Sequence, residues 1–593
     1  MIREPSMKSV PVCLIASVAS AWAMGSYFGA QMQGTAAMIA CLMLYLAVCA
    51  LRPDRKTALL CGLFGAAFSA FRVLGYSYDT LNSYGLIMKS AGTLLRAAAA
   101  FVSLAAMSAC AAVVLLALLG RASQMAVREE AGCAKARRKL LIVSAAMIFA
   151  GSLPYLFLYA PGLNIFDTHD QILQFFGYPS YIGDGSALSD HHPVFLTVVY
   201  GLFMKLGLAL GSVNAAQLIY GLLSMAAIAL CYGYALVTLY DAGLRVKPLY
   251  GIAAFVALYP VLALYAFNMC KDVSAAPFVL ILCAQLLRIH RSRGAVMKEN
   301  RFLLAVMANA LMLMLTRKPS MYALAFATVF MIIAYKGVRV RMAAALLGAA
   351  VLFHVVYTGM ILPACGVIPG EAREMLSVPF QMTARVLSEG REVTPEEKEA
   401  IARVLDIDAC VSRYDPRLSD PVKDTSNPEM TGEDFAAYLR AFVSVGLRHP
   451  AAYLEAWLNM IYGYFYPSDS NTIVCLTLNS PDQGGVNLTQ NPALDAARLE
   501  FHNIIYYRLR QIPGFGALFY VDTVTWAFLL LLIALWLRHG FSALAPCMFF
   551  VGTLGICLLS PKSGEIRYLM PILYALPVMA GAALLPGKGD DRV

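Results

Sequence analysis

Apolar runs of about 17–25 residues recur along most of the chain and constrain its fold more than any other feature. A run of that length crosses roughly 30 Å of hydrocarbon as a helix. Hydrophobic residues occupy 60% of the 593 positions and charged residues only 14%, far from the roughly 25% charged of soluble domains. Strands would have to close into a barrel with alternating polarity. The sequence therefore predicts an all-α polytopic membrane protein.

Basic connectors predict the orientation of the chain. The connectors at 52–56 and 121–139 are rich in Lys and Arg, which places them in the cytoplasm and the loop at 161–192 outside. If the apolar segment 193–210 crossed the membrane, the later basic loops would all lie outside. A re-entrant helix at 193–210 restores them to the inside and predicts about fourteen spans, with both termini cytoplasmic.

Residues 364–516 differ from the rest in charge and are predicted to form an extracytoplasmic insert. They hold 20 acidic residues against 13 Lys and Arg, whereas the remainder holds 16 against 33. The patterns TPEE from Thr394 and TGED from Thr431 predict capped helix N-termini of a mainly helical domain. The predicted units are a four-helix transmembrane unit at 1–139, a transmembrane core at 140–363, this insert, and C-terminal transmembrane helices at 517–593.

The loop at 161–192 carries a dense polar cluster beside a predicted membrane exit. It contains no Lys or Arg, and its acidic, amide and imidazole side chains include Asp167, His169, Asp170, Gln171, Asp190, His191 and His192. In a chain this apolar, such a cluster is typical of a functional site. The alternative is a solvated loop whose acids keep it in water.

The same cluster contains residue types that can ligate a metal. Asp190, His191 and His192 are metal-ligand types, yet adjacent histidines are poorly disposed to ligate one ion, and two ligands are not a site. The sequence has no Gly-rich phosphate loop after a strand, no Walker A motif and no H-E-x-x-H. It therefore requires no cofactor, leaves a divalent metal as an alternative, and indicates no nucleic-acid partner.

Cations occur at the same predicted depth in three later connections, against the positive-inside bias. They are Lys271, the turn Arg317-Lys318, and Lys562 with Arg567. Cations in such positions are usually paired, and phosphate is a natural partner for Arg. The alternative is that they form structural salt bridges with Asp272, Glu565 or the loop acids, or extend toward water.

Carboxylates and cations at one membrane surface predict transfer from a lipid-linked donor. A carboxylate can take the proton from an acceptor hydroxyl as it attacks a sugar carbon. Cations can hold the departing lipid phosphate and stabilise its developing charge. Such a donor needs no nucleotide-binding fold.

At these residues the sequence resembles the GT-C superfamily of membrane glycosyltransferases, and within it a bacterial branch. The family's first-loop acid matches FD at 166–167, its H-P element heading a juxtamembrane helix matches DHHP at 190–193, and its R-Y-x-x-P ending matches EIRYLMP at 565–571. The likeness covers about 140–363 and 517–587. Three features depart from the family: four spans precede the usual first helix, the 364–516 insert is larger than in minimal members, and the loop acids are spaced D-x-x-D.

The resemblance implies a GT-C-like fold in the plasma membrane. It also implies sugar transfer from a polyprenyl phosphate to an extracytoplasmic acceptor, such as a cell-wall polymer, glycolipid or protein. Asp167 is the expected base, with a pKa raised by partial desolvation, and Asp170 assists it. The expected acceptor pocket comprises Gln171, Asp190, His191 and His192. The expected lipid-phosphate site comprises Lys271, Arg317, Lys318, Arg567 and Tyr568.

Two other classes stay open. A secondary transporter or flippase would use the same charges to couple ions to a lipid-linked or anionic substrate, although transporters usually show similar halves and charges near the midplane. A non-catalytic assembly protein would use the insert to recruit partners. The aromatic run at 462–466 suggests that the insert caps the membrane site, unless these rings lie in the insert's core or at the lipid interface.

Overall fold

Helices account for nearly all the regular structure in the computed structural model, which describes residues 9–29, 34–127 and 132–587. Within these ranges the two strands, β1 (Leu163–Asn164) and β2 (Asn268–Met269), have two residues each. Nine helices of the described chain are long and apolar enough to cross a membrane, and six shorter apolar helices accompany them. The prediction of an all-α, multi-pass membrane protein is therefore confirmed.

The N-terminal helices are α1 (Ser9–Phe28), α2 (Thr35–Leu51), α3 (Arg55–Leu81), α4 (Gly85–Met88), α5 (Ala91–Ala126) and α6 (Ala134–Leu158). The central helices are α7 (Phe166–Phe175), α8 (Val194–Ala209), α9 (Val213–Asp241), α10 (Val246–Leu258), α11 (Pro260–Tyr265), α12 (Lys271–Ser274), α13 (Ala276–Arg291), α14 (Asn300–Thr316), α15 (Ser320–Ala334), α16 (Arg339–Val351) and α17 (Leu362–Ala364). Between α16 and α17 the helix is wound as a π-helix, Leu352–Ile361.

The insert contains α18 (Ser377–Ser388), α19 (Pro395–Ala402), α20 (Ile407–Ser412), α21 (Asp420–Lys423), α22 (Gly432–Arg448), α23 (Pro450–Ile461) and α24 (Asp495–Asn503). The C-terminal helices are α25 (Val521–His539), α26 (Phe541–Cys557) and α27 (Met570–Ala583). Both predicted capping boxes are observed. The side chains of Thr394 and Thr431 accept from the backbone N–H groups of Glu397 and Asp434, whose carboxylates accept in turn from the backbone N–H groups of Thr394 and Thr431.

Helices α6 and α9 run antiparallel and define the two ends of the bundle. At the basic end, Arg137 of α6 pairs with Asp241 of α9 (Nη2–Oδ2 2.6 Å). At the loop end, Gln217 of α9 donates to the carbonyl of Leu163, just beyond α6 (3.1 Å). Because α6 finishes and α9 starts at the loop end, α7 and α8 between them return the chain to that end.

The insert packs on the loop end and is built in two parts. Its first part has a core of its own around Phe380, Val404 and Tyr438. In its second part, Val474 and Ile505 belong to the main core of the bundle. The insert is therefore only partly a separate unit, because its C-terminal half packs into the transmembrane core.

The aromatic run at 462–466 joins the insert to the N-terminal helices. Tyr462, Tyr464 and Phe465 are buried, and the Phe465 ring stacks on Phe71 of α3 with centroids 4.1 Å apart. The indole of Trp526 in α25 donates to the Phe465 carbonyl (2.9 Å). Tyr464 and Phe465 belong to the main core of the bundle. The run therefore neither lines the cavity nor lies in the insert's own core.

Candidate active site

A short parallel strand pair positions the start of α7 beside the start of α12. Strand β1 pairs with β2 in the register Asn164 to Met269, so both chains leave the pair in the same direction. The hydroxyl of Thr168 donates to the Met269 carbonyl (2.5 Å) and locks the first turn of α7 to β2. Asp167 and Lys271, which follow the two strands, are thereby brought together.

Asp167 is held by two cations. Its Oδ2 lies 2.8 Å from Nζ of Lys271 and 3.3 Å from Nη1 of Arg567. The side chains of Asp167 and Lys271 are each 22% exposed, so the group is neither solvated like a surface pair nor fully buried. The structure thus brings together three residues that the sequence analysis placed in one site from three separate segments.

The ionisation of Asp167 differs from the prediction. Burial by itself would raise the pKa of this carboxyl, but Lys271 and Arg567 outweigh burial and hold the pKa well below its usual range. The expectation of a raised pKa was wrong because it counted the desolvation at the membrane exit and not the two cations. Asp167 is a firmly ionised carboxylate in this arrangement.

His192 contacts the ammonium group of Lys271. Its Nδ1 lies 3.2 Å from Nζ of Lys271, and its side chain is buried. Burial first, and the neighbouring ammonium second, keep the pKa of His192 well below its ordinary value. A neutral imidazole can accept a hydrogen bond from the ammonium, so His192 orients Lys271 toward Asp167.

A cavity of about 610 Å³ opens in front of Asp167 and Arg567. The bundle contributes Asp167, Lys562, Glu565 and Arg567 to its wall. The second part of the insert contributes the opposite wall, with Thr472, Val474, Cys475, Leu476, Thr477, Asn479, His502 and Tyr506. The insert therefore covers the site, although through a different segment from the aromatic run.

The insert wall was missed by the sequence analysis. A signal was present: residues 470–481 contain no charged side chain, within an insert that is otherwise rich in charge. His502 stacks on Tyr506 with ring centroids 4.5 Å apart, and Tyr506 is tied to Val474 by two hydrogen bonds. These contacts give the cavity a firm polar and aromatic side.

Glu565 links the cations at the cavity rim. Its carboxylate accepts from Lys562 (2.7 Å) and from Nε of Arg567 (3.3 Å). Arg567 is consequently shared between Glu565 and Asp167, with Nη1 directed to Asp167. The salt-bridge alternative applies here in part, because two of these three contacts are internal to the 562–567 turn.

Arg317 lies behind the cavity wall, in a buried ion pair. Its Nε lies 2.8 Å from Oδ1 of Asp272, and both side chains are 3% exposed. Its Nη2 donates to the carbonyl of Tyr568 (3.0 Å). These contacts link α12, the end of α14 and the turn before α27, and neither Arg317 nor Tyr568 lines the cavity.

Asp190 and Lys318 form a second link, at the start of α8. Nζ of Lys318 lies 3.0 Å from Oδ1 of Asp190 and also donates to its carbonyl. The Asp190 amide donates to the Ile368 carbonyl (2.8 Å). These residues and His191 stand outside the cavity wall, so the geometry assigns them to holding α8 and the insert together.

Asp170 and Gln171 face the protein interior. Asp170 is 2% exposed and pairs with His169 (Oδ1–Nδ1 3.3 Å); burial raises its pKa, which His169 partly offsets. Gln171 is fully buried and donates to Thr197 of α8 (3.1 Å). Neither reaches the cavity, because successive turns of α7 face α8.

No group of three or more His, Cys, Asp or Glu side chains suited to a metal ion occurs in the described residues. The ring centroids of His191 and His192 lie 4.6 Å apart, with an interplanar angle of 83°. His192 contacts Lys271.

Fold and site together define an all-α multi-pass membrane protein with Asp167 and Arg567 in the wall of a covered cavity and Lys271 paired to Asp167. The chain belongs to DUF6020, a family of unknown function whose model matches residues 182–585. That range contains Lys271, Arg567 and the whole insert and begins after α7. No curated protein and no solved structure matches the chain.

Proposed function

We propose that this protein is a membrane glycosyltransferase of GT-C type that moves a sugar from a polyprenyl phosphate to an extracytoplasmic acceptor. The observation that carries the proposal is the position of Asp167, which faces a cavity of about 610 Å³ while sharing two cations. Asp167 and Arg567 stand in the cavity wall, and Lys271 pairs with Asp167 beside it; a carboxylate and two cations are the groups that such a transfer needs.

The proposed roles divide between the substrates. Lys271 and Arg567 bind the donor phosphate, and Asp167 accepts the proton of the acceptor hydroxyl. The hydroxyl oxygen attacks the anomeric carbon as the bond from that carbon to the phosphate oxygen breaks. The electron pair leaves with polyprenyl phosphate, whose charge the two cations stabilise. No residue beyond these three and no resident cofactor enters the step.

Because Asp167 is paired with two cations, donor binding should also change the pKa of Asp167. With Lys271 and Arg567 turned toward it, the carboxylate is a weak base, because its pKa is held low. A donor phosphate competes for the same cations and so raises the pKa of Asp167 toward the range of an effective base. Proton abstraction would therefore follow donor binding.

An apolar groove provides a seat for the polyprenyl chain. It has a volume of about 550 Å³ and lies among α10, α25 and α27, with Ile252, Leu531 and Leu573 in its wall. Leu262 continues the groove toward the loop end, and the nearby Tyr265 hydroxyl accepts a hydrogen bond from the backbone N–H of Cys475 in the cavity wall (3.1 Å). The groove and the charged cavity are thus adjacent, as a lipid-linked substrate requires.

The topology supports an outer location for the site. The nine long helices and five of the six shorter ones would make fourteen spans, with α8 confined to the loop end. The basic end, with Arg137 and Arg291, then faces the cytoplasm by the positive-inside rule. The cavity and the insert face outward at the plasma membrane.

Release of polyprenyl phosphate tests the proposal. Purified full-length protein is incubated with a panel of labelled polyprenyl-phosphate sugars and envelope acceptors, and the freed lipid is quantified with and without EDTA. Donor-dependent release that Asp167→Asn abolishes would support the proposal, and EDTA sensitivity would add a divalent metal to it. Counterflow of a solute in proteoliposomes without any release would favour the transporter or flippase.

A further inference from the structure

A second cavity lies at the basic end of the bundle, between α6, α9 and α13. Its volume is about 510 Å³. Arg137 and Asp241, whose ion pair marks the basic end, form part of its wall. It is therefore separated from Asp167 by the length of the bundle, and the proposed transfer reaction does not use it.

Three guanidinium groups surround this cavity, against one carboxylate. The charges are those of Arg137, Arg288, Arg291 and Asp241. The carboxylate of Asp241 is neutralised by Arg137 (2.6 Å). Two positive charges are therefore left over at the cavity, and they come from successive turns of α13.

The two remaining guanidinium groups are available to a ligand. Arg288 lies over the face of Phe302, 4.6 Å from the ring centroid, and this stacking leaves the edge of its planar group open. The guanidinium of Arg291 makes no hydrogen bond or ion pair with any residue in the described ranges. A planar fork of N–H donors without a partner is suited to the oxygens of a phosphate.

The remaining wall is partly apolar. Val237 of α9, Leu287 of α13 and Val296 contribute apolar side chains, beside the hydroxyl-bearing Tyr234, Thr238 and Ser292. The positive-inside rule alone would explain arginines that are solvated at the cytoplasmic surface. Such arginines would not need to line a cavity enclosed between three helices. Cations at the rim and apolar side chains between helices are the features of a lipid headgroup site on the cytoplasmic side.

We propose that this cavity binds the phosphate headgroup of an anionic glycerophospholipid. Arg288 and Arg291 donate to the phosphate oxygens, and the apolar wall contacts the first methylenes of the acyl chains. The phosphate chemistry is shared with free inorganic phosphate, but only the lipid uses the apolar wall. The assignment is independent of the sugar-transfer proposal.

Lipid titration of the purified full-length protein tests this site. The melting temperature is followed against dioctanoyl phosphatidylglycerol, dioctanoyl phosphatidylcholine and inorganic phosphate. We expect saturable stabilisation by phosphatidylglycerol, and a weakening of its binding by at least about tenfold in the double variant Arg288→Gln/Arg291→Gln, because two charge-assisted contacts are lost.

Two matched variants make the test specific. Arg301→Gln removes the same charge from an exposed position at the start of α14, outside the cavity. Arg567→Ala removes a cation from the loop end. Both should bind phosphatidylglycerol as the native protein does, which separates this site from the outer cavity.

Three results would overturn the proposal. Equal stabilisation by phosphatidylcholine would show that the headgroup charge is not recognised. Equal affinity for inorganic phosphate would assign the site to a soluble anion. Native phosphatidylglycerol binding in the folded double variant would place the lipid elsewhere.

Discussion

Lys271 and Asp272 are adjacent in sequence but belong to two different ion pairs. Lys271 faces Asp167 at the cavity, with both side chains 22% exposed. Asp272 faces Arg317 in the interior, with both side chains 3% exposed. The chemistry is the same, and the N–O distance is 2.8 Å in each pair. The difference in exposure decides which pair can exchange its partner for a ligand.

The two pairs also differ in how completely the cation is committed. Arg317 donates to Asp272 and to the Tyr568 carbonyl, which joins three helices around a buried charge. Lys271 divides its donors between Asp167 and a neutral His192. Removing a partner from a buried pair leaves an unsolvated charge, whereas a partner at the cavity can be replaced by water or substrate.

The largest effect is expected for Asp167→Asn. Loss of the base should reduce turnover by about 10²–10⁴-fold, while donor binding is retained because Lys271 and Arg567 are left free for the phosphate. The measurement is single-turnover transfer alongside donor affinity. Asp184→Asn, an exposed change in the same loop, is the control, and native turnover in folded Asp167→Asn would show that the base lies elsewhere.

Asp272→Asn is expected to act on stability. The change leaves Arg317 buried without its counter-ion, at a cost of about 3–5 kcal/mol, so the melting temperature and the yield of folded protein should fall. Asp167→Asn, at the more exposed pair, should lower the melting temperature less. A double change, Asp272→Asn with Arg317→Met, should recover part of the loss; if Asp272→Asn alone melts like the native protein, the contrast between the pairs fails.

Arg567→Ala and Lys271→Met should weaken donor binding. Each removes one charged hydrogen bond to the phosphate, a loss of about 1.5–3 kcal/mol, or roughly 10- to 150-fold in Kd. Donor affinity is measured by displacement of a fluorescent polyprenyl phosphate. Lys318→Met removes a cation that lies outside the cavity wall and should leave this affinity unchanged.

The pH dependence should separate the free protein from its donor complex. In the free protein the pKa of Asp167 is held well below its usual range, so its contribution to stability is complete above pH 5 and is lost only as the pH falls through that lowered value. Once the donor takes the cations, the pKa of Asp167 should rise toward its ordinary range. The acid limb of kcat should therefore lie above that of kcat/KM; coincident limbs would argue against competition for the cations.

The smallest effect is expected from labelling the native cysteines, which requires no substitution. Cys133, before α6, and Cys365, after α17, are exposed at opposite ends of the bundle, and Cys475 lies in the cavity wall. In intact cells an impermeant maleimide should label Cys365 and spare Cys133. Donor should protect Cys475 but not Cys365. Labelling of Cys133 alone would invert the proposed orientation.

Several residues of the site could be predicted, and others could not. Asp167, Lys271 and Arg567 were predicted because each stands at the end of an apolar segment, against the local charge bias. Arg317 satisfied the same criterion and is nevertheless buried against Asp272. Local composition reports the depth of a cation in the membrane. It does not report whether the side chain turns toward a cavity or toward the interior of the bundle.

The sequence by itself determined the helical, membrane-spanning architecture and the capped helices of the insert. These follow from apolar length, charge bias and capping patterns, which are local signals. Only the tertiary structure decided the electrostatics of the site. Asp167 and Arg567 lie 400 residues apart, and the opposite wall comes from the insert. An ion pair depends on distances of a few ångströms, so no local sequence pattern could predict the pKa of Asp167.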